Sequence, residues 1–520
     1  MHKIYTGNLK RIYLAIIFAL CSLHFTYGQQ IEENKVDELV EHVRKTFNVP
    51  GIAVGIVKDG KVILKKGYGV SSINTGKAVD PLTNFGIASN SKAFTATALA
   101  MLVDQGKIKW DDRVRNYIPE FKLYNDYVSE NFTIRDLLTH RSGLGLGAGD
   151  LMIWPDGNDF TPQDIIRNMQ YLKPVSDFRT KYDYDNLLYV IAGVVIEKVS
   201  GLSWASYIQQ RILTPLHMDH SASNWHLLSS KDNSIDPHVP VDGKLQVIKR
   251  YSGTTVDAAG GIYSNVEDLS KWVLFQLNKG NYEGKQLIRK EQLAELSTPQ
   301  TLMPVTTVPP YNSLFRAYGL GFRLTDVAGK LEVSHTGGLE GIVTQIVMLP
   351  QLQLGIIVLT NQQEGAAFMS ISNTIKDFYL GLPPKDWVAT YQSSIAASTS
   401  SADKITEEVW QTIEKNKNSN PYKNMLTGKF VDNWLGEVNI YKENGKLMFA
   451  SKRSPQLTGE LFFYKDQTYV VKWNNRYFHA DAFLHLDINQ QKLQGFKMNA
   501  ISPLTDFSYD FHDLAFKKVN

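Results

Sequence analysis

The chain has 520 residues, which is longer than a typical single domain, so its length predicts two domains. Its formal net charge is only +3, and the sequence contains neither a polybasic tract nor an acidic tail. Proteins that bind nucleic acid concentrate lysine and arginine on one face or in one segment, so this charge pattern does not indicate that function.

Residues 1–28 are predicted to be a signal peptide for export. A basic start precedes a mostly apolar run at 12–23, and small residues follow it at Thr26 and Gly28. The run is short for a bilayer span, so we expect cleavage, with an uncleaved anchor as the alternative. Cys21, the single cysteine, lies in this segment, so the mature chain would have no disulfide, thiol nucleophile or cysteine-ligated metal. We therefore expect an exported protein, periplasmic or secreted, without an integral membrane span.

The first elements after this segment have clear periodicities. Apolar residues at helical spacing over 33–47 predict a helix. Two apolar runs, 52–57 and 62–64, flank the turn pair Asp59-Gly60 and predict a β-hairpin.

The most informative stretch is Ser89-Asn90-Ser91-Lys92, which stands at the head of an apolar helical pattern that ends at Gly106. A helix beginning near Ser89 places Lys92 one turn on, on the same face, so its amine can reach the serine hydroxyl. Serine needs such a base to become a nucleophile, and a helix N-terminus favours developing negative charge. A capping serine followed by a solvated lysine is the alternative that this motif alone leaves open.

The rest of the first domain is predicted to be mainly helical to about residue 296. Strands return at 331–334, 342–349 and 354–359, and a closing helix follows at 366–379. Strands at both ends of a helical region favour one antiparallel sheet with helices packed against it. This order argues against a repeated βαβ fold, and no G-x-S-x-G elbow is apparent.

The first domain is predicted to span 29–384, because Pro383-Pro384 ends it. Residues 385–420 are interpreted as a linker that contains a Ser, Ala and Thr-rich stretch and then a polar helical segment. Short strands alternate with turn signals from there on, which predicts a small all-β barrel or sandwich over 421–520.

Two further motifs offer partners for Ser89. Tyr184-Asp185-Asn186 directly precedes an apolar helix, where a tyrosine can exchange protons and an asparagine amide can hold a substrate carbonyl or the lysine. The His-Thr-Gly-Gly run that begins at His335 follows a strand, and its glycines permit close approach of the backbone to a ligand. Taken separately, a helix cap and an ordinary loop are the simpler explanations of these motifs.

In this order and at these separations, the motifs resemble the Ser-x-x-Lys, Tyr-x-Asn and His-x-Gly signatures of the serine β-lactamase and penicillin-binding-protein superfamily. The resemblance is closest to the class C β-lactamase-related group, which includes esterases, D-aminopeptidases and other peptidases. It covers about residues 34–380, with further matching segments at 107–119, 133–144 and 259–269. The fold it implies is α/β (α+β), a β-lactamase/transpeptidase-like antiparallel sheet flanked by helices.

The resemblance implies a catalytic set. Ser89 would be the acylated nucleophile, and Lys92 and Tyr184 would share proton abstraction and return, with the identity of the resting base left open. The backbone N–H groups of Ser89 and Gly338 would form the oxyanion hole.

The resemblance also implies substrate contacts by Asn186, His335, Thr336 and Gly337. Many β-lactamases and D,D-peptidases of the superfamily have lysine where this chain has His335, and neutral histidine holds a substrate carboxylate less firmly near pH 7. This departure favours esters, amides or small peptides over efficient penicillin hydrolysis. His140 is interpreted as structural, because a Thr-His pair at a helix end usually satisfies backbone groups.

We therefore expect an exported serine hydrolase that cleaves an ester, amide or peptide bond of a small molecule or short peptide through a Ser89 acyl-enzyme. One alternative is a β-lactamase or D,D-peptidase acting on β-lactams or peptidoglycan peptides. Another is a penicillin-recognising binding or sensor protein that does not turn over. Neither a cofactor nor a metal is expected.

The C-terminal segment resembles a small lipocalin-like β-domain that is often appended to such hydrolases, with matching stretches at 426–430, 436–447 and 480–483. Its aromatic residues are interpreted mainly as a barrel core. The sharper hypothesis is that this domain covers the mouth of the active site or joins identical subunits. The aromatic residues are Trp434, Phe462, Phe463, Tyr469, Trp473, Tyr477 and Phe478.

Overall fold

The computed structural model of the protein describes residues 30–519. The predicted signal peptide, with Cys21, lies outside the described residues.

The first region combines one large sheet with a helical layer. Its helices are α1 (Glu33–Thr46), α2 (Ser91–Asp104), α3 (Asp126–Asn131), α4 (Ile134–Leu137), α5 (Pro162–Asn168), α6 (Leu187–Ser200), α7 (Trp204–Ile208), α8 (Asp257–Gly260), α9 (Val266–Leu277), α10 (Lys290–Leu296) and α11 (Gly365–Leu380). Its strands are β1 (Gly51–Lys58), β2 (Lys61–Gly69), β3 (Phe85–Gly86), β4 (His238–Val241), β5 (Lys244–Val247), β6 (Tyr263–Ser264), β7 (Asn281–Tyr282), β8 (Lys285–Gln286), β9 (Thr301–Met303), β10 (Arg316–Tyr318), β11 (Arg323–Val327), β12 (Lys330–Leu339), β13 (Ile342–Leu349) and β14 (Leu354–Thr360).

The large sheet has the order β2-β1-β14-β13-β12-β11-β10-β9, and its pairs are antiparallel. The N-terminal strand β1 pairs with β14, so the prediction of one sheet built from both ends of the region is confirmed. The predicted hairpin is confirmed too, with Asp59 and Gly60 both at positive φ, as its two-residue turn requires.

Strand β1 shows why this sheet is buried on both faces. Successive side chains of a strand point to opposite faces. Ile52, Val54 and Ile56 belong to the apolar core under α1 and α11, whereas Ala53 and Val57 belong to the core that includes α9 and the helical layer. The near-continuous apolar run over 52–57 follows from burial on both sides.

One strand is longer than expected. The sequence pattern predicts that the His335 motif follows a strand at 331–334, but β12 continues through Leu339. Thr336, Gly337 and Gly338 pair with Gln345, Thr344 and Val343 of β13, so the ladder keeps this glycine-containing segment extended.

Residues Trp387–Lys415 form a single long helix, α12, where the sequence suggested a Ser, Ala and Thr-rich linker and a polar helix. Its buried residues are Trp387 and Val388 at the start, Ala402 in the middle, and Val409 and Ile413 near the end. The indole N–H of Trp387 donates to Asp377 of α11 at 2.7 Å, and Val409 and Ile413 pack with Val470 of the C-terminal region.

The C-terminal region is a closed eight-stranded antiparallel barrel. This confirms the prediction of a small all-β domain. A short helix, α13 (Lys423–Leu426), precedes the strands β15 (Gly428–Asp432), β16 (Gly436–Glu443), β17 (Lys446–Ser451), β18 (Thr458–Lys465), β19 (Thr468–Trp473), β20 (Ala482–Asn489), β21 (Lys492–Ala500) and β22 (Ala515–Lys518).

The aromatic residues of the barrel divide between its interior and its rim. Tyr469 and Trp473 are almost fully buried, as the core interpretation expects. Tyr477 and Phe478 instead line a cavity that also contains Ser89. The barrel therefore contributes one wall of that cavity.

Within residues 30–519, no single helix has the length and apolar character to cross a membrane. The bent pair Leu187–Ser200 and Trp204–Leu213 meets these criteria together, by length and composition alone.

Candidate active site

Ser89 lies in a tight 3₁₀ turn, Ala88–Asn90, immediately before α2. The predicted helix start is thus one short turn followed by an α-helix from Ser91. The side-chain amide of Asn90 donates to the hydroxyl of Thr344 at 2.9 Å, and that hydroxyl donates to the carbonyl of Ile87 at 2.9 Å. These bonds fix the Ser89 turn against strand β13.

Lys92 is fully buried beneath Ser89. Its Nζ lies 3.0 Å from Ser89 Oγ, 2.7 Å from Asn186 Oδ1 and 2.9 Å from the carbonyl oxygen of Ala259. The last two oxygens can only accept hydrogen bonds. A neutral amine that donates to both directs its lone pair to the Ser89 hydroxyl.

The surroundings favour this neutral amine. Burial lowers the pKa of Lys92 to about 7; Asp150 and Asp185 oppose this shift, whereas the positive charge of Arg323 adds to it. The free base is therefore well populated near neutral pH. The alternative that Lys92 is an ordinary solvated lysine is excluded by its burial.

Tyr184 packs beside the amine, whose nitrogen lies 4.9 Å from the centre of the phenol ring. Burial raises the pKa of Tyr184, while Arg323 and the Ser89 hydroxyl act in the opposite direction. The free site therefore holds a neutral phenol. Such a group can donate or relay a proton, and of the two groups Lys92 is the one with a basic form populated near neutral pH.

Asn186 is held by a chain of hydrogen bonds that ends in the barrel domain. Its amide N–H donates to Asp150 Oδ2 at 2.7 Å, and the hydroxyl of Ser508 donates to the same oxygen at 2.9 Å. Since Asn186 Oδ1 faces Lys92, Asp150 decides which end of the amide meets the amine. Sequence reasoning missed Asp150 and Ser508, which carry no local signature.

The four residues of the His-Thr-Gly-Gly run, 335–338, point alternately to the two faces of β12. Thr336 and Gly338 line the cavity, whereas His335 and Gly337 are buried on the other side. A Cβ on Gly337 would lie 2.2 Å from the carbonyl oxygen of Ile87, so glycine allows β12 to approach the Ser89 turn. A Cβ on Gly338 would meet open space. The structure thus brings Gly338 to the cavity and uses Gly337 for packing.

His335 lies on the face of β12 that points away from the cavity, and its imidazole is neutral. Its Nδ1 lies 2.6 Å from the carbonyl oxygen of Thr336, and its Nε2 lies 2.9 Å from the hydroxyl of Tyr318. Burial, together with the cations Arg323 and Lys92, lowers the pKa of His335 well below its usual range. The expectation that this histidine supplies no positive charge agrees with its surroundings.

Arg323, on β11, brings a permanent cation to the cavity that sequence reasoning did not predict. Its guanidinium donates to the hydroxyl of Thr336 at 2.7 Å and lies 5.7 Å from the ring centre of Tyr184. An anionic group near Thr336 would therefore meet arginine rather than the lysine of the superfamily pattern.

His140 is buried against Tyr184. Its ring centre lies 4.3 Å from that of Tyr184, and its Nδ1 accepts a hydrogen bond from the backbone N–H of Asp185 at 3.0 Å. These contacts position the Tyr184 segment, which agrees with the structural interpretation of His140.

The cavity over Ser89 has a volume of about 350 Å³. Ile153 and Trp154 line it from the first domain. Residues 504–509 of the barrel domain, here called the barrel segment, close its other side through Leu504, Asp506, Phe507, Ser508 and Tyr509. The ring of Phe507 stands edge-to-face on Tyr184, with their centres 5.8 Å apart. The cavity is sized for a small molecule or a short peptide.

Together, the antiparallel sheet flanked by helices and the buried Ser-x-x-Lys turn define the class of β-lactamase and penicillin-binding-protein-like folds. A family model described as Beta-lactamase matches residues 36–377. The chain therefore belongs to the Beta-lactamase family. A second model, described as a domain of unknown function (DUF3471), matches residues 412–518.

Curated relatives are similar to the chain over part of their length. Protein flp of Staphylococcus aureus (strain COL) is 30% identical over 334 residues, which cover 63% of this chain and 63% of that protein. The chain thus spans less than two thirds of the first curated relatives. Unguisins hydrolase ungD of Aspergillus violaceofuscus (strain CBS 115571) is 26% identical over 377 residues, covering 68% of this chain and 66% of that protein.

A solved structure extends the likeness across both domains. The octameric penicillin-binding protein homologue from Pyrococcus abyssi superposes with a TM-score of 0.61 at 23% identity, covering 94% of this chain and 100% of that chain. At this identity the likeness shows the fold.

Proposed function

We propose that this Beta-lactamase-family protein is a serine hydrolase that cleaves an ester, amide or peptide bond of a small substrate through an acyl-enzyme on Ser89. The observation that carries the proposal is the 3.0 Å contact between Ser89 Oγ and the buried amine of Lys92. Burial lowers the pKa of Lys92 to about 7, so the amine can accept the hydroxyl proton near neutral pH.

The remaining groups support the later steps. Lys92 takes the proton as Ser89 Oγ bonds to the substrate carbonyl carbon, and the N–H groups of Ser89 and Gly338 face the resulting oxyanion. Tyr184 relays the proton from Lys92 to the leaving group. Water then attacks the ester, and its proton returns to Ser89 Oγ by the same groups in reverse.

The test is labelling with a fluorophosphonate probe, followed by hydrolysis of p-nitrophenyl acetate. We expect the wild type to be labelled at Ser89, and Ser89→Ala to lose labelling and at least about a thousandfold in kcat. Ser394→Ala, on the exposed face of α12, is the matched control and should behave as the wild type. Full activity of Ser89→Ala would refute the proposal.

A second candidate, a β-lactamase or D,D-peptidase, is favoured by Arg323. Its guanidinium beside Thr336 offers a β-lactam or peptide carboxylate the cation that His335 lacks. Rapid steady turnover of nitrocefin would establish this activity. A burst without turnover would instead indicate a penicillin-recognising sensor.

We also propose that residues 1–28 direct export to the periplasm or beyond the cell. Fractionation of cells expressing the full chain, with N-terminal sequencing of the product, tests this proposal. Assembly of identical subunits through the barrel domain is a separate hypothesis, which light scattering of the purified protein examines.

A further inference from the structure

Immediately after the barrel segment, one short turn carries two carboxylates and a histidine. Residues Phe511–Asp513 form a 3₁₀ turn, and Asp510 directly precedes it. Side chains three positions apart eclipse in such a turn, so Asp510 and Asp513 lie side by side. The potential ligand atoms of Asp510, His512 and Asp513 all lie within 4.8 Å of one another. These three residues are called the carboxylate–histidine cluster below.

The carboxylate of Asp510 is fully buried, and its two oxygens differ in their partners. Oδ2 accepts a hydrogen bond from the backbone N–H of Gly149 at 2.6 Å. Within residues 30–519, Oδ1 has no hydrogen-bond partner, and it lies 3.2 Å from Nδ1 of His512. The buried Oδ2 of Asp513 also lacks a hydrogen-bond partner in the described part of the chain. A buried carboxylate oxygen without a donor is costly, so these two atoms point to a ligand that neutralises them.

The neighbouring charges leave the cluster strongly negative. Burial raises the pKa of Asp510 well above its usual range, and the negative charges of Asp513 and Asp150 raise it further. Burial also raises the pKa of Asp513, whereas His512 and Lys173 act in the opposite direction. Among these groups, Lys173 is the single permanent cation, and three are carboxylates. A bound cation would therefore stabilise the ionised pair.

The geometry of the cluster fits a metal ion. Ligand atoms bound to one ion at about 2.0–2.2 Å lie at most about 4.4 Å apart. The 3.2 Å between Asp510 Oδ1 and His512 Nδ1 is within this limit, and a small side-chain rotation brings the other separations within it. The side chain of His512 is 55% exposed, so solvent reaches the cluster from this side. The ring of Phe511 stacks on Trp473 of the barrel, with centres 5.6 Å apart, and holds the turn in place.

From this arrangement we propose that Asp510, His512 and Asp513 bind a divalent metal ion that accepts nitrogen ligands, such as Zn²⁺, with water completing its coordination. Imidazole and carboxylate together suit such an ion, whereas Ca²⁺ and Mg²⁺ take oxygen ligands. The ion would be structural, because it would tie Asp513 of the barrel to Asp510, which contacts Gly149 of the first domain. This inference is independent of the acyl-enzyme mechanism, and it revises the expectation from the sequence that no metal is bound.

The test is zinc binding by the full chain, produced without a histidine tag and freed of metal with a chelator. Titration calorimetry with ZnCl₂ measures the stoichiometry and the Kd, and scanning calorimetry measures the melting temperature with and without ZnCl₂. We expect about one zinc ion per chain. We also expect the melting temperature to rise by at least about 2 °C with zinc in large excess over the Kd, because the ion binds the folded chain.

Two variants each remove one ligand. In His512→Gln and in Asp513→Asn, we expect the Kd for zinc to rise at least about tenfold and the zinc-induced rise in melting temperature to shrink. His217→Gln is the matched control, because this histidine is also exposed and lies 3.9 Å from a carboxylate, that of Glu283. It should bind zinc as the wild type does. Metal-free His512→Gln should melt like the metal-free wild type, which verifies that it is folded.

A proton shared between the two carboxyl groups is the alternative to a metal ion. In that case the wild type would bind no zinc, and Asp513→Asn would be at least as stable as the wild type, because its amide donates to Asp510. That result would overturn the proposal. Zinc binding that neither His512→Gln nor Asp513→Asn weakens would overturn it too, as would tighter binding of Ca²⁺ than of Zn²⁺.

Discussion

The two walls of the cavity are built differently. On the wall from the first domain, Ser89, Lys92 and Asn186 sit at the starts of helices and are joined by contacts of 2.7 to 3.0 Å. On the opposite wall, the barrel segment is irregular, and Asp506 and Phe507 are exposed. Rigid elements hold reacting groups accurately, whereas loops vary without disturbing a core. From this difference we propose that the first wall carries the chemistry and that the second selects substrates.

The walls are nevertheless connected. Ser508 of the barrel segment donates to Asp150, and the backbone N–H of Gly149 donates to Asp510 at 2.6 Å. Asp150 in turn holds Asn186. The barrel domain therefore contacts both the cavity over Ser89 and the hydrogen-bond chain that leads through Asp150 and Asn186 to Lys92. Four predictions test how far the division holds.

The largest effect is expected for Lys92→Met. Loss of the base should lower kcat by about 10²- to 10⁴-fold. In the wild type, kcat should fall below about pH 7 as Lys92 is protonated, and this dependence should be absent from the residual activity of the variant. The lowered pKa means that the folded wild type resists protonation of Lys92. The contribution of Lys92 to the stability of the wild type therefore falls as pH drops from about 10.5 to about 7, and this contribution changes no further below that.

The melting temperature of Lys92→Met relative to the wild type should consequently rise as the pH is lowered through this window. Calorimetry from pH 6 to pH 10 measures the difference. A difference in melting temperature that does not depend on pH would show that Lys92 keeps an ordinary pKa. Lys92 could then not serve as the base that activates Ser89.

The next effect is expected for the two glycines of β12. Gly337→Ala places a Cβ 2.2 Å from the Ile87 carbonyl, so we expect it to cost about 1–3 kcal/mol of unfolding free energy and to disturb the Ser89 turn. Gly338→Ala meets open space and should fold normally with its N–H retained. Urea unfolding of both variants measures this contrast. Equal stabilities would contradict the close approach of β12 to Ser89.

Arg323→Gln should have an intermediate effect. Arg323 lowers the pKa of Lys92, so its removal should move the acid limb of kcat/KM to higher pH, by up to about one unit. Substrates with an anionic leaving group should also lose about tenfold in kcat/KM, while neutral esters should not. Arg289→Gln, in an exposed ion pair with Asp104, is the control. A limb that moves to lower pH would contradict the assignment.

The smallest effect is expected for Ser508→Ala, which breaks the contact between the barrel segment and Asp150 of the first domain. Ser508→Ala removes one hydrogen bond to Asp150, worth about 0.5–1.5 kcal/mol, so kcat should fall by a few-fold on every substrate. Ser508→Thr keeps the hydroxyl and should have a kcat close to that of the wild type. If Ser508→Ala changes KM for selected substrates only, this serine belongs to the selective wall.

Sequence reasoning recovered the sheet because its signals are local. The fully apolar strand at 52–57, the Asp59-Gly60 turn and the strands near 342–359 each carry their own periodicity or turn chemistry. It placed the end of β12 too early, since glycines weaken a strand pattern and only the pairing with β13 keeps them extended. The ends of the long helix α12 are held by Trp387 and Ile413, which local propensity does not reveal.

For the site, the motifs predicted the residues that share one helix turn or one strand, and the structure brings Ser89, Lys92, Tyr184 and Asn186 together. The sequence pattern could not predict which side of β12 faces the cavity. The motif suggested that His335, Thr336 and Gly337 meet the substrate and that Gly338 contributes to the oxyanion hole. The register with β13 turns Thr336 and Gly338 toward the cavity, and His335 and Gly337 away from it.

The sequence by itself determined the Ser-x-x-Lys turn, the strands of the large sheet and the strands of the C-terminal domain, because the signals of each strand and turn lie within a few residues. The tertiary structure alone decided that Arg323 and the barrel segment share a cavity with Ser89, and that the buried Asp150 joins Asn186 to Ser508. Ser508 and Asp150 are separated by 358 positions along the chain. Their contact depends on how two folded domains pack, and no local pattern in either segment encodes that packing.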